Sequence, residues 1–166
     1  MSIDLSPRPA LTPLGVDALS ALTRSIAARP ELWRPLVRFQ ESGRWWIRLD
    51  GPPDVDVWLL TWLPSQGTEL HDHGASAAAF TIAAGTLTEI RPHSDGRLVP
   101  QDFAAGQTQT VDPGDLHDVL NTGTEPAVSI HAYSTRLTRM TYWATTADGR
   151  LVPTRTVETD EPETDT

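Results

Sequence analysis

Three histidines dominate the chemistry available to this sequence: His71 and His73, separated by Asp72 alone, and His117, set just behind a Pro113-Gly114 turn. In a strand, residues two apart point to the same face, so the first pair can aim two imidazoles at one ion. The turn before His117 delivers a third ring at the start of another strand. Three neutral imidazoles leave the charge of a divalent ion uncompensated and coordination positions open, which favours an anionic ligand from a substrate. Zinc held by three histidines and a water satisfies the same ligand types. The chain has no cysteine, which excludes thiolate ligands, a disulfide framework and a thiol nucleophile. All thirteen basic residues are arginine, so Schiff-base and lysine-base chemistry are excluded as well.

A second pattern lies downstream. Ser129, His131 and Tyr133 alternate along one segment, placing three polar side chains on a strand face that would otherwise carry aliphatic residues. Asp72 points away from His71 and His73 and is assigned a structural role. His93, in the loop Arg91-Pro92-His93-Ser94-Asp95-Gly96, has no partner spacing and reads as a surface residue.

The elements that must position these residues are mostly strands. Residues 1–13 are proline-rich and read as loose. From Leu14, the helical spacing of Val16, Leu19, Leu22 and Ile26 predicts a helix ending near Ala28, with short turns from Glu31 to Phe39 because Pro30 and Pro35 break the run. After Gly43 the period shortens toward two. Strands are predicted at Trp45–Leu49, Val55–Leu63, Ala78–Ala83, Thr86–Arg91, Thr108–Val111, Val119–Leu120, Ala127–Tyr133 and Thr138–Ala144, punctuated by Gly- and Pro-containing turns. Many short strands without intervening helices describe an all-β antiparallel barrel or sandwich preceded by short N-terminal helices. No internal repeat is visible. The predicted organisation is one domain over 14–154, with helices in 14–43 and barrel in 44–154, followed by a solvated, disordered acidic tail over 155–166.

Length and composition agree with this organisation. The 166 residues suit one domain, and six tryptophans with 39% hydrophobic residues argue for a folded core. Fourteen prolines and a mean hydropathy of −0.30 imply many turns. Five acidic residues after Val157 account for more than half of the net charge of −9. Clustered positive charge is lacking, which argues against nucleic-acid or anionic-membrane partners. No stretch approaches the ~20 apolar residues that cross a bilayer, and the N-terminus lacks a basic segment leading into an apolar run. A soluble, cytoplasmic protein is therefore expected, as a monomer or weak homo-oligomer.

The segment Gly106-x5-Asp112-Pro113-Gly114-Asp115-Leu116-His117-x3-Asn121 resembles the second signature motif of the cupin superfamily, and His71-x-His73 followed by Gly85 resembles the first. Asp112 stands where proline is usual, with Pro113 one step later, and Gly67 is slightly displaced. Ala78 occupies the position where many cupins place a fourth, glutamate ligand. Together the motifs imply a cupin jelly-roll barrel with a metal inside its mouth.

The stretches His71–Ser76, Gly85–Glu89, Leu116-His117 and Thr124–Ser134 narrow the resemblance to the cysteine dioxygenase, or thiol dioxygenase, family. In mammalian members a cysteine at the Ala78 position is crosslinked to the active-site tyrosine. With alanine there, the chain resembles bacterial members that lack this crosslink. The resemblance implies a mononuclear non-haem Fe(II) enzyme that combines a small thiol, cysteine or a relative such as 3-mercaptopropionate, with O2 to give the sulfinic acid. It implies His71, His73 and His117 as metal ligands. Tyr133 would sit near the oxygen or the substrate carboxylate, His131 would hydrogen-bond the Tyr133 hydroxyl, and Ser129 would orient His131. Arg48, in Trp46-Ile47-Arg48 where the family has Tyr-x-Arg, is the first candidate to bind a substrate carboxylate, and Arg44, of the same strand parity, is the second. Trp58, Trp62 and Trp143 are expected to pack the barrel. The alternatives are a metal-dependent cupin catalysing a different oxygenation or an isomerisation, and a non-catalytic metal- or ligand-binding cupin.

Overall fold

The computed structural model describes residues 12–162, so most of the N-terminal segment expected to be loose lies outside the described residues. Helix α1 spans Val16–Ala27 and α2 spans Pro30–Trp33, with Pro30 in the first turn where its missing N–H costs nothing. A short 3-10 turn, Arg34–Leu36, follows. Eleven strands come next: β1 Trp46–Leu49, β2 Asp56–Trp62, β3 His71–Asp72, β4 Ala77–Ala84, β5 Thr86–Pro92, β6 Leu98–Ala104, β7 Thr108–Val111, β8 Asp118–Leu120, β9 Ala127–Ser134, β10 Arg139–Thr145 and β11 Leu151–Glu158. Among the described residues no helix is long and apolar enough to cross a membrane.

The strands form a five-stranded sheet, β1-β2-β9-β4-β7, and two three-stranded sheets, β11-β10-β3 and β6-β5-β8. The all-β jelly roll expected from the motifs is what the chain adopts. Strands β2, β4 and β9 are buried along nearly their whole length because the large sheet is covered on both faces. Trp58, Leu60, Trp62, Phe80 and Ile82 point into the barrel, while Val57, Leu59, Ala79, Val128, Ile130 and Ala132 point outward under α1. Leu19 and Ile26 of α1 meet that outer face. Ala77 and Ala79 suit this position, because small side chains let the helix lie close to the sheet, while Ala78 between them faces the barrel interior.

Three strands are absent from the predicted set: β3, which is only two residues long, and the longer β6 and β11. Strands β6 and β11 expose most of their residues, so neither carries the alternation that marks a half-buried strand. Strand β11 pairs with β10 from Leu151↔Thr145 to Glu158↔Arg139. The predicted acidic tail therefore begins too early: residues 155–158 belong to the barrel, and 163–166 lie outside the described residues.

The β4–β5 hairpin turns at Gly85, whose φ of +78° is a left-handed conformation. A Cβ there would lie 2.6 Å from the Pro126 carbonyl oxygen and 2.9 Å from the Ala127 Cα. Gly85→Ala is expected to destabilise the fold by about 2 kcal/mol or more, combining backbone strain with the overlap. A denaturant midpoint equal to that of the parent would contradict this account of the hairpin.

Candidate functional site

Backbone pairing brings the histidine segments together. His71 and His117 form an isolated antiparallel bridge, exchanging N–H···O=C bonds of 3.0 Å in both directions. Directly opposed residues in such a pair share a face, so both rings enter the barrel side by side. His73, two positions after His71, joins them on that face. The ring centroids are 4.8 Å apart for His71 and His73, 4.8 Å for His71 and His117, and 5.0 Å for His73 and His117.

Hydrogen bonds at the far side of two rings fix their tautomers. His71 Nδ1 donates to the Glu69 carbonyl at 2.6 Å, and His117 Nδ1 donates to Glu89 Oε2 at 2.9 Å. A carbonyl and an ionised carboxylate only accept, so Nδ1 carries the proton in both rings and Nε2 keeps its lone pair. His73 is held differently. Its Nδ1 is buried without a hydrogen-bond partner among the described residues, and packing against the Tyr133 ring at 5.0 Å sets its orientation.

The three ligand atoms lie within 4.8 Å of one another. His73 Nε2 is 3.0 Å from His71 Nε2 and 3.4 Å from His117 Nε2. An ion with metal–nitrogen bonds of about 2.0–2.1 Å separates its nitrogens by about 2.9 Å at right angles and about 3.4 Å at tetrahedral angles. The two separations from His73 Nε2 fall in the range that one ion would set, and the three rings form a group that could hold it. Burial, with His117 close by, lowers the pKa of His71 to about 3, and burial beside His71 and His117 drives His73 well below its ordinary value. Both rings stay neutral at physiological pH, the form that binds metal.

Glu89, on β5, went unassigned in the sequence although it follows Leu87 in the inward-pointing phase of its strand. An acidic residue in that phase is the signal that could have found it, because a buried carboxylate needs partners. It has four. Oε1 accepts from Arg91 Nε at 2.7 Å and Gln109 Nε2 at 2.8 Å, and Oε2 accepts from Arg91 Nη2 at 3.1 Å and from His117. Burial alone would raise its pKa, but the bonds from His117 and Arg91 outweigh it and lower the value to about 2.

Ser129, His131 and Tyr133 all point inward from β9, with a connectivity different from the expected relay. Trp62 Nε1 donates to Ser129 Oγ at 2.8 Å, and Ser129 Oγ lies 2.7 Å from His131 Nε2. An indole N–H only donates, so the serine accepts from Trp62 and keeps one donor and one acceptor position, either of which can meet His131 Nε2 according to the tautomer of the ring. The His131 ring is stacked at 5.0 Å on Phe80 and at 6.3 Å on Trp62. Burial lowers its pKa to about 3 and raises that of the Tyr133 hydroxyl. Among the described residues no hydrogen bond joins Tyr133 to His131. Tyr133 instead packs its ring between Trp58, at 4.7 Å, and His73.

The two arginines exchange the places expected of them. Arg48 is not among the residues lining the histidine cavity: its guanidinium lies 6.0 Å from the centre of the Trp46 ring, donates to the Asp160 carbonyl at 2.9 Å and sits 3.8 Å from Asp56. Arg44 is the one inside, only 1% exposed, with its guanidinium 4.6 Å from the centre of the Trp62 ring. The strand register sets Arg48 opposite Trp58, whereas Arg44 precedes the strand at the Trp62 end, where the cavity begins. Arg44, Trp62, His71, His117, His131 and Tyr133 line one cavity of about 20 Å³. Trp62 thus does more than pack, carrying both Arg44 and Ser129. Trp58 lies in the core, and half-buried Trp143 donates to Asp72 Oδ2 at 2.9 Å, while Asp72 Oδ1 accepts the Gly74 N–H. His93 is exposed.

Comparison with known proteins agrees with this geometry. The family model of cysteine dioxygenase type I matches residues 11–145. Cysteine dioxygenase type 1 of Danio rerio is 28% identical over 133 residues, 73% of this chain and 66% of that protein. Auxin-binding protein 1 of Arabidopsis thaliana is 30% identical over 80 residues, covering 46% of this chain and 40% of that protein. The chain thus spans less than two thirds of the length of the curated relatives it matches. Similar folds include a double-stranded β-helix protein of Klebsiella pneumoniae (TM-score 0.54, 16% identity, 74% of this chain and 93% of that one) and oxalate oxidase (TM-score 0.51, 18% identity, 61% and 55%). A cupin superfamily protein of Desulfitobacterium hafniense also aligns (TM-score 0.51, 12% identity, 63% and 88%).

Proposed function

Because the chain belongs to the cysteine dioxygenase type I family, we propose that it is a mononuclear Fe(II) thiol dioxygenase that converts a small carboxylate-bearing thiol and O2 to the sulfinic acid. The observation that carries this reading is the convergence of His71, His73 and His117 into one cluster, two of whose rings, His71 and His117, line a cavity together with Arg44. His71, His73 and His117 would hold the iron. Bound there, iron would supply the activation of O2 and its coupling to the thiolate sulfur, both oxygen atoms ending on sulfur. The rest falls to the protein's own side chains.

Arg44 presents a planar fork, preset by stacking on Trp62, that suits a carboxylate bidentately. It takes the role first considered for Arg48. Tyr133, its hydroxyl kept protonated by burial, offers a hydrogen-bond donor at the cavity wall. Ser129 and Trp62 position the His131 ring, which borders the cavity as a neutral, pre-oriented imidazole. The apolar walls Leu60, Val119 and Met140 exclude water around the reacting groups.

The deciding experiment is O2 uptake by the iron-loaded protein with a panel of thiols, with the product identified by mass spectrometry. Thiol-dependent uptake yielding a sulfinate is expected, and its absence with iron bound rejects the reading. Arg44→Ala should raise KM for carboxylate-bearing thiols about 10–100-fold, as loss of a charged hydrogen bond predicts. Cysteamine, which lacks the carboxylate, should be affected little, and equal losses for both would remove Arg44 from substrate recognition. The partial match to auxin-binding protein 1, a binder by name, favours a second reading, a non-catalytic binding cupin. Thiol binding to the iron-loaded protein without O2 consumption would select it.

A further inference from the structure

The cavity beside the three histidines holds about 20 Å³, room for roughly one water molecule and too little for a thiol carrying a carboxylate. Two of its lining residues come from outside the barrel strands and the loops between them: Arg44, ahead of β1, and, after the last strand, Pro162, which is buried although its neighbours Asp160 and Glu161 are exposed. After β11, the Thr159 N–H extends the ladder by one bond to the Thr138 carbonyl at 3.0 Å. Beyond that point the segment bonds mainly to itself, through Thr159 Oγ1 and the Glu161 backbone. Among the described residues, one hydrogen bond ties its tip back to the barrel, the 2.9 Å bond from Arg48 Nη2 to the Asp160 carbonyl. Arg48 is itself steadied by Asp56, a buried carboxylate that also accepts from Arg136 and from the Leu137 N–H.

We propose that Thr159–Pro162 is a strap that closes the histidine cavity with Pro162, that Arg48 is its latch, and that the strap must swing aside to admit substrate. The proposal takes from the proposed function only that this cavity is where the substrate binds. Proline suits the closing position, since it has no N–H to leave unsatisfied against an apolar wall. A single exposed hydrogen bond suits a latch, because segments that open are drawn from the weakly held parts of a fold. Arg48 thereby acquires a role as a positioning residue that acts through the strap.

The test requires neither metal nor turnover. Diethyl pyrocarbonate, a reagent larger than the cavity, carbethoxylates histidine rings, and peptide mass spectrometry of the treated full chain gives a rate for each. His131 borders the cavity and is not one of the three candidate ligands, while exposed His93 serves as an internal reference. Arg48→Ala and Pro162→Gly should each raise the His131/His93 rate ratio about threefold to tenfold, the weight of one hydrogen bond. Arg48→Lys retains a donor for the carbonyl and should keep a ratio near that of the parent. Arg136→Ala, which loses an ion pair to Asp56 without touching the strap, should leave the ratio unchanged. A ratio unaltered in both Arg48→Ala and Pro162→Gly, or raised equally by Arg136→Ala, overturns the strap. Since the oxygen-uptake assay reads chemistry and this one reads access, failure of either reading is recognisable without the other.

Discussion

His73→Leu is expected to abolish metal binding while leaving the metal-free protein at least as stable as its parent. Three nitrogens make the site, and two neutral rings retain too few donors to hold an ion against water; affinity should fall more than the 10–100-fold typical of losing a ligand's hydrogen-bond partner. Stability moves differently because of how His73 is held. Its Nδ1 is buried without a partner among the described residues, and a buried unsatisfied group costs about 1–3 kcal/mol. Leucine fills much of the same space beside Tyr133 without that penalty. Elemental analysis of iron-loaded protein and denaturation midpoints of the metal-free forms check both halves. Retained metal would show that His73 is not a ligand, and a large loss of metal-free stability would show that the ring is there for packing. His93→Ala, on the exposed loop, should change neither quantity.

Glu89→Gln should lower metal affinity about 10–100-fold, although it changes neither volume nor any group facing the ion. The carboxylate accepts four hydrogen bonds, two at each oxygen, which fills its acceptor capacity. An amide has one oxygen. Whichever way it turns, its NH2 faces two N–H donors: Arg91 and Gln109 on one side, or Arg91 and His117 on the other. In the second orientation the His117 ring loses the partner that fixes its tautomer and aims Nε2 at the other two rings. In the first, Arg91 is displaced and a buried charge is lost from the network. Competition with a chelator of known affinity measures the change, and parental affinity would mean that His117 is held by its backbone bridge to His71 alone.

How much of this was legible in the sequence depends on whether local pattern or pairing sets the feature. Period-two segments and turn residues located β1, β2, β4, β5, β7, β8, β9 and β10 to within one or two residues, because each carries residues that are buried or, in β1, partly buried against the core. The edge strands β6 and β11 were not legible, since their stability comes from neighbours and their own residues stay in solvent. Alternation likewise put His71 with His73, and Ser129 with His131 and Tyr133, on common faces. Those relations are intrastrand and need no knowledge of the fold.

What the chain cannot specify locally is which strand lies beside which. The bridge between His71 and His117 closes a loop of more than forty residues, and it is this pairing that turns an HxH and a lone histidine into one cluster. The same holds for the arginines. Arg44 and Arg48 share strand parity and differ by four residues, so alternation alone does not choose between them; the tertiary fold sets Arg48 over Trp46 with its bond to the Asp160 carbonyl and gives Arg44 the Trp62 ring inside. Residue types and their alternation, which follow from the pleat of a single strand, thus determined the chemistry available to this protein. Register and closure, which depend on contacts between distant segments, decided which of those groups meet and what shuts the space between them.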